Sequence, residues 1–255
     1  MNNKKTIFAV SDIHSFFSIF LATLKKSGFD TDNPNHILVV CGDLFDRGRE
    51  PLELINFLLS LPEDRLVLLR GNHEDLLLQM LQRRSCWGKD IKNGTLQTLL
   101  DLNNLPSSTD LNENHFNNAY RILRPLYLRM RDIFETDHYI FVHSWIPVFR
   151  LSNKSLEYTG EIEFNSNWRN APAENWEFAR WINPFDMVQK GLLPEKTLIF
   201  GHWNASYAWR LKKGTPEYGP ESINDIYYGD GYIAIDGNTT LSGKVNILVL
   251  EDYIE

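Results

Sequence analysis

Cysteine is nearly absent: Cys41 and Cys86 are the only two in 255 residues. Two thiols cannot build a disulfide scaffold or a thiolate metal cluster, and the scarcity fits a reducing compartment. Long apolar runs are missing too. No stretch approaches the roughly 18 apolar residues of a membrane span. The apolar run between Lys5 and Asp12 is also too short for a signal-peptide core. Basic residues are outnumbered, 26 Lys and Arg against 33 Asp and Glu, so the formal net charge is −7. That balance argues against nucleic acid or an anionic membrane as partner. Internal repeats, low-complexity tracts and linkers are lacking. The expectation is a cytoplasmic protein with one domain over residues 1–255. Its 43% hydrophobic and 23% charged residues are globular values.

What is present is a recurring event. His36 to Cys41 is an apolar run that reads as a buried strand, with Cys41 a small core residue. It stops at Gly42, and a charged turn follows with Asp43, Asp46, Arg47 and Gly48. Four other apolar runs end alike. Ile7–Val10 ends in Ser11-Asp12-Ile13-His14, Leu66–Leu69 in Arg70-Gly71-Asn72-His73-Glu74, Tyr139–Val142 in His143, and Leu198–Phe200 in Gly201-His202. In α/β proteins, ligands bind just past the carboxyl ends of strands. Buried carboxylates and imidazoles gathered there are costly unless something cationic joins them. A single solvated loop would need no explanation. Five strand ends delivering Asp, His or Asn point to one metal site.

Between these strands, residues 16–26, 51–59 and 74–84 carry helical periodicity, which gives a βαβαβ pattern. Residues of about 85–132 read as a helical insertion without a strand, with helices near 94–102 and 113–131, the latter interrupted at Pro125. A hairpin is expected about Thr136-Asp137-His138. Residues of about 145–196 read as loop-rich, with a short helix over 175–181. Their tryptophans, Trp145, Trp168, Trp176 and Trp181, read as a satellite apolar cluster. The chain then returns to strands at 226–228, 232–235 and 245–250, separated by turns at Gly229-Asp230-Gly231 and Asp236-Gly237-Asn238, where Asp236 reads as a turn residue.

Asp12-Ile13-His14, Gly42-Asp43-Leu44-Phe45-Asp46-Arg47-Gly48, Gly71-Asn72-His73-Glu74, His143 and Gly201-His202 together resemble the calcineurin-like metallophosphoesterases. The likeness is to the serine/threonine phosphoprotein phosphatase branch of bacterial and phage type, related to the symmetrical diadenosine tetraphosphate hydrolases. The resemblance implies an α/β fold in which two mixed β-sheets pack face to face with helices outside. It implies two divalent metal ions, with manganese placed first and iron, zinc or cobalt as alternatives. Asp12 and His14 would hold one ion, Asn72, His143 and His202 the other, with Asp43 bridging. It implies in-line attack by a metal-bridging hydroxide. His73 would be general acid, oriented by Asp46, while Arg47 binds phosphoryl oxygens. An arginine from a Trp-containing helix would stand beside the phosphate, and Phe178-Ala179-Arg180-Trp181 offers Arg180.

Three departures from the family pattern stand out. Ser11 and Ser15 replace glycines. Ser144-Trp145 follows His143, so Trp145 is expected to narrow the pocket. Asn204 stands where other branches carry a second His. The leading function is hydrolysis of phosphomonoesters, with phosphoserine or phosphothreonine in proteins as substrate. Dinucleoside polyphosphates or other nucleotides are the same-class alternative. A non-catalytic scaffold for a phosphorylated partner is the different-class alternative, disfavoured because a binding module has no use for a general acid. Expected partners are therefore phosphorylated proteins, peptides or small phosphoesters, with neither nucleic acid nor membrane.

Overall fold

The computed structural model describes residues 4–150, 162–164 and 167–254. The part of the Trp-rich segment at 151–161 and 165–166 lies outside the described residues. The strands are β1 (Lys4–Val10), β2 (His36–Cys41), β3 (Leu66–Leu69), β4 (Met130–Arg131), β5 (Phe134–Glu135), β6 (Tyr139–Phe141), β7 (Val148–Arg150), β8 (Ile162–Phe164), β9 (Thr197–Phe200), β10 (Tyr227–Gly229), β11 (Tyr232–Ala234) and β12 (Leu248–Tyr253). One sheet has the order β12-β1-β2-β3-β4, the other β10-β11-β9-β6-β5, and β7 pairs with β8. Within the first sheet β1 to β4 run parallel and β12 closes the edge antiparallel. Within the second, β6, β9 and β11 are parallel, flanked by antiparallel β5 and β10.

Side-chain alternation explains why the central strands are apolar at every position. Ile7, Ala9, Ile37, Val39, Val67 and Leu69 face the second sheet and meet Phe141, Ile199 and Ile233. Their neighbours Phe8, Val10, Leu38, Val40 and Leu68 face outward, under a helical layer. That layer comprises α1 (Phe17–Lys26), α2 (Pro51–Ser60), α3 (Asn72–Arg83), α4 (Gly88–Asn93), α5 (Thr95–Leu102) and α6 (Glu113–Tyr127). The second sheet's outer face is covered by α7 (Ala173–Ala179), α8 (Pro184–Gln189) and α9 (Ala205–Lys213), and the short α10 (Thr239–Ser242) precedes β12. A strand buried on both faces has no polar side to alternate with. Each fully buried aliphatic or Phe side chain contributes about 1.5–3 kcal/mol. Two mixed sheets face to face with helices outside is the expected architecture. None of the described helices is long and apolar enough to cross a membrane.

Register decides the function of this architecture. Val10 pairs with Val40 and Cys41 with Leu69, so β1, β2 and β3 end nearly level. Phe141 pairs with Ile199, and Gly201 N–H donates to the His143 carbonyl at 2.8 Å, so β6 and β9 also end together. Face-to-face packing brings both sets of ends to one edge. The approach is so close that a Cβ on Gly201 would overlap Ser11 Oγ and Asp12 Oδ2, and a Cβ on Gly42 would stand 2.6 Å from His143 Nδ1.

Several local expectations are corrected. The stretch read as free of strands contains β4, whose two residues are too short to show a period and exist only by pairing with Leu68 and Leu69. Helix α6 continues through Pro125, because buried Leu123 and Leu126 anchor its final turns despite the missing N–H. Helix α3 starts at Asn72, two residues earlier than expected. Trp145 does not narrow the cavity. It is 1% exposed and packs 5.9 Å from the Phe200 ring on the outer side of the second sheet. The Ser144 hydroxyl donates to the Ile182 carbonyl at 2.5 Å, which ties the chain to the outer layer and carries Trp145 with it.

Candidate metal centre

The strand ends reach the site through strained backbone. Asp12, His14, Ser15, Asp43, Asp46, Arg47 and His202 all have φ between +50° and +74°. Left-handed backbone at a non-glycine residue costs roughly 1–3 kcal/mol and concentrates at functional sites. Ser15, where the family has glycine, bears this strain at φ +58°. Neighbouring backbone holds the turns: Asp12 N–H donates to the Gly42 carbonyl at 3.2 Å, His14 N–H to Asp43 at 3.0 Å, Ser15 N–H to Leu44 at 2.7 Å and Gly48 N–H to His14 at 2.8 Å. The two loops thus fix each other.

Asp12, His14, Asp43, Asn72, His73 and His202 line one cavity of about 450 Å³ together with Arg47 and Asp236. His143 lies beneath it, 1% exposed. The His143 Nδ1 sits 2.8 Å from the Cys41 carbonyl, which only accepts, so neutral His143 must present its Nε2 lone pair to the site. That Nε2 lies 2.9 Å from Asn72 Oδ1, 3.2 Å from His202 Nδ1 and 3.4 Å from Asp43 Oδ1. Likewise His14 Nδ1 faces the Phe45 carbonyl at 2.8 Å, and its Nε2 looks toward Asp43 Oδ2 at 3.8 Å and Asp12 Oδ1 at 3.9 Å. Lone pairs therefore converge on lone pairs in a dry environment, an arrangement that cations resolve. The two oxygens of Asp43 look toward different clusters, one containing His14 and the other His143 and His202. The mixed nitrogen and oxygen donor set, without thiolate, fits manganese, iron, zinc or cobalt.

The electrostatics agree. Burial pushes His14 well below its usual range, helped by Arg47 and His73, and burial with His143 pushes His202 down to about 3. Both imidazoles are held neutral, as metal binding requires. Burial opposes ionisation of Asp43, but the neighbouring imidazoles, His143 and His73 foremost, outweigh it and hold its pKa below the ordinary carboxylate range. Asp12 moves the other way, raised by burial, Asp236 and Asp43.

Beside these groups, His73 Nδ1 bonds Asp46 Oδ2 at 2.7 Å. Burial disfavours charge on His73, yet Asp43 and Asp46 push its pKa up to about 9. Arg47 spreads its fork over the centre, with Nη1 2.9 Å from His14 Nε2 and Nη2 3.1 Å from His73 Nε2. By distance alone, His14, Asp43 and His73 also form a metal-sized cluster. Arg180 stands elsewhere. Its Nε bonds Asp75 Oδ2 at 2.7 Å and its Nη1 bonds Asp132 Oδ1 at 2.6 Å. At 6% exposure it neutralises a buried carboxylate and does not line the cavity among the described residues.

Sequence reading missed the groups that hold this arrangement in place. The Glu74 carboxylate accepts from the backbone N–H of Gly71 at 2.8 Å, Asp43 at 2.9 Å and Leu44 at 2.8 Å, joining two of the loops. Its place three residues past Gly71 is a helix-capping signature that was available in the sequence. Thr95 Oγ1 donates to Asp46 Oδ2 at 2.8 Å and Thr98 Oγ1 to Asp46 Oδ1 at 2.9 Å. The helical insertion therefore supports the site from within, and no local pattern announced it. Asp236 is 4% exposed and forms part of the cavity wall. In the departure at Ser11, the hydroxyl donates to Asp12 Oδ2.

The "Bis(5'-nucleosyl)-tetraphosphatase, symmetrical" of Buchnera aphidicola subsp. Baizongia pistaciae is 30% identical over 131 residues, 51% of this chain and 39% of that protein. "Serine/threonine-protein phosphatase 1" of Salmonella typhimurium is 37% identical over 76 residues, 30% of this chain and 33% of that protein. The matched stretches thus span well under half of these relatives. Among solved structures, a serine/threonine phosphatase from Saccharomyces cerevisiae superposes with a TM-score of 0.55 at 14% identity, covering 98% of this chain and 80% of that one. A cold-active protein tyrosine phosphatase gives 0.52 at 16% identity, covering 96% and 73%. These structural likenesses concern the fold. The calcineurin-like phosphoesterase family itself matches residues 5–235, a stretch that contains every strand-end residue described above, and the chain belongs to that family.

Proposed function

We propose that this hydrolase is a bimetal phosphomonoesterase whose substrates are phosphoserine or phosphothreonine in proteins. The observation that carries the substrate reading is the charge of the cavity wall. Among the described lining residues Arg47 is the one permanent cation, and the outer wall is neutral or aromatic: Asn93, Trp181, Trp203, Asn204, Tyr218 and Thr240. One planar fork suits one phosphoryl group. A tetraphosphate chain would bring several anionic groups to a wall with no further cation.

In this reading Asp12, His14 and Asp43 hold one divalent ion, and Asp43, Asn72, His143 and His202 the other, with manganese the first choice. Bound there, the ions supply Lewis acidity toward phosphoryl oxygens and lower the pKa of water toward about 7. Arg47 binds and orients the phosphoryl group. His73 gives a proton to the leaving oxygen, and Asp46 holds its ring. Two free cysteines, Cys41 and Cys86, suit a reducing, cytoplasmic setting. A substrate panel with manganese tests the reading: phosphoserine peptides should exceed nucleotides and diadenosine tetraphosphate in kcat/KM. A constant for the dinucleotide well above every phosphopeptide would reverse the order.

Thr98 offers a narrower test. Its hydroxyl both donates to Asp46 and accepts the Asp46 backbone N–H at 3.0 Å. Thr98→Val keeps the shape but leaves a fully buried carboxylate short of a donor. Losing such support typically costs about 10–100-fold in activity and about 1–3 kcal/mol in stability. Metal content should stay at wild-type level, as elemental analysis beside kinetics and thermal unfolding would show.

A further inference from the structure

We infer that the cavity rim formed by Trp181, Tyr218 and Leu241, with the groove that adjoins it, is the subsite for the peptide beside the phosphorylated residue, and that it selects a large apolar side chain there. The inference rests on the phosphoprotein reading above. The three rim side chains are 40%, 56% and 70% exposed, so each presents apolar surface at the cavity mouth. The Trp181 ring stands edge-on to His202 with centroids 6.4 Å apart, so the rim begins directly beside the metal centre. A cavity of about 450 Å³ is far larger than one phosphoryl group needs. Leu241 and Asn238 also wall a second groove of about 610 Å³, so the two adjoin at these residues.

The groove's chemistry points to peptide. Asn238 stands on the wall common to both pockets, and Ser222, Asn224 and Ser242, though bonded within their own loops, add neutral polar surface of the kind that matches main-chain amides. Lys244, the cation of the groove, is paired with Asp225. An extended neutral backbone lying in the groove would carry a neighbouring side chain onto the exposed apolar rim, while a chain of phosphates would meet no unpaired cation among the described lining residues.

The test uses the full-length, manganese-loaded protein and two phosphoserine peptides that differ at one position beside the phosphoserine, Phe in one and Ser in the other. Wild type should favour the Phe peptide by about 10-fold in kcat/KM, expressed mainly in KM, at the low end of what an apolar contact discriminates because the rim is half open. Leu241→Ser and Trp181→Ala should each bring that ratio to within about threefold of unity. Trp181→Ala lies against a metal residue, so if it loses metal, Leu241→Ser decides, since an exposed leucine can be changed without threatening the fold. Peptides cleaved without preference, or a preference that survives Leu241→Ser, would overturn the subsite and leave the phosphoprotein reading standing. Cleavage of diadenosine tetraphosphate with no cleavage of either peptide would overturn both. A rim substitution that lowers dinucleotide turnover while leaving the peptide ratio unchanged would make the rim a base platform and also overturn the inference.

Discussion

Asp43→Asn is expected to release bound metal and abolish turnover, with a larger loss than any other single substitution at the centre. The reason is position. One carboxylate oxygen stands 3.4 Å from His143 Nε2 and the other 3.8 Å from His14 Nε2, so a single change weakens both clusters. Metal assistance is worth several kcal/mol of transition-state stabilisation, so the loss in kcat should reach at least about 10³-fold. Unfolding does not account for such a loss. An asparagine at 43 keeps the oxygen that accepts the His73 backbone N–H at 3.0 Å. It loses the attraction to the neighbouring imidazoles that holds Asp43 ionised, so the metal-free variant should unfold somewhat earlier than metal-free wild type but still above the assay temperature. Elemental analysis, kinetics and calorimetry on the same preparation check this. Two tightly held ions with near-normal turnover would show that Asp43 does not bridge.

His73→Ala should produce the second largest effect, and its size should depend on the leaving group. A serine alkoxide needs a proton as the phosphorus–oxygen bond breaks, whereas an activated nitrophenolate scarcely does. Positioned acid catalysis is worth about 10²–10⁴-fold. The loss should sit in that range for a phosphoserine peptide and be clearly smaller for nitrophenyl phosphate. Asp46→Asn should show the same asymmetry more weakly, because Asp46 touches His73 through Nδ1 at 2.7 Å and transfers no proton itself. Both variants should retain wild-type metal content. Loss of metal in His73→Ala would instead place His73 among the ligands, as its proximity to Asp43 Oδ2 at 3.9 Å permits. Equal losses on both substrates with metal retained would assign His73 to phosphate binding.

The fold and the strand-end residues were legible in the sequence because their signals are short in range. Runs such as Ile37–Cys41 are apolar throughout because both faces are buried, and that alone marks a central strand. Each run is followed within a few residues by its Asp, His or Asn, so the chemistry travels with the strand that positions it. Arg180, Thr95, Thr98 and Trp145 behaved differently. Arg180 meets Asp75 across 105 positions of chain, and Thr98 meets Asp46 across 52. A sequence can show that an arginine follows a tryptophan helix; it cannot show that a buried carboxylate on another helix will claim the guanidinium first. Trp145 directly follows a strand-end residue, yet which layer it enters depended on the hydroxyl of Ser144 finding the Ile182 carbonyl. The sequence by itself determined the strands, their buried faces and the polar residues at their ends. Tertiary structure decided which charges neutralise one another, which hydroxyls hold Asp46 and what forms the rim, because each depends on contacts between segments far apart in the chain.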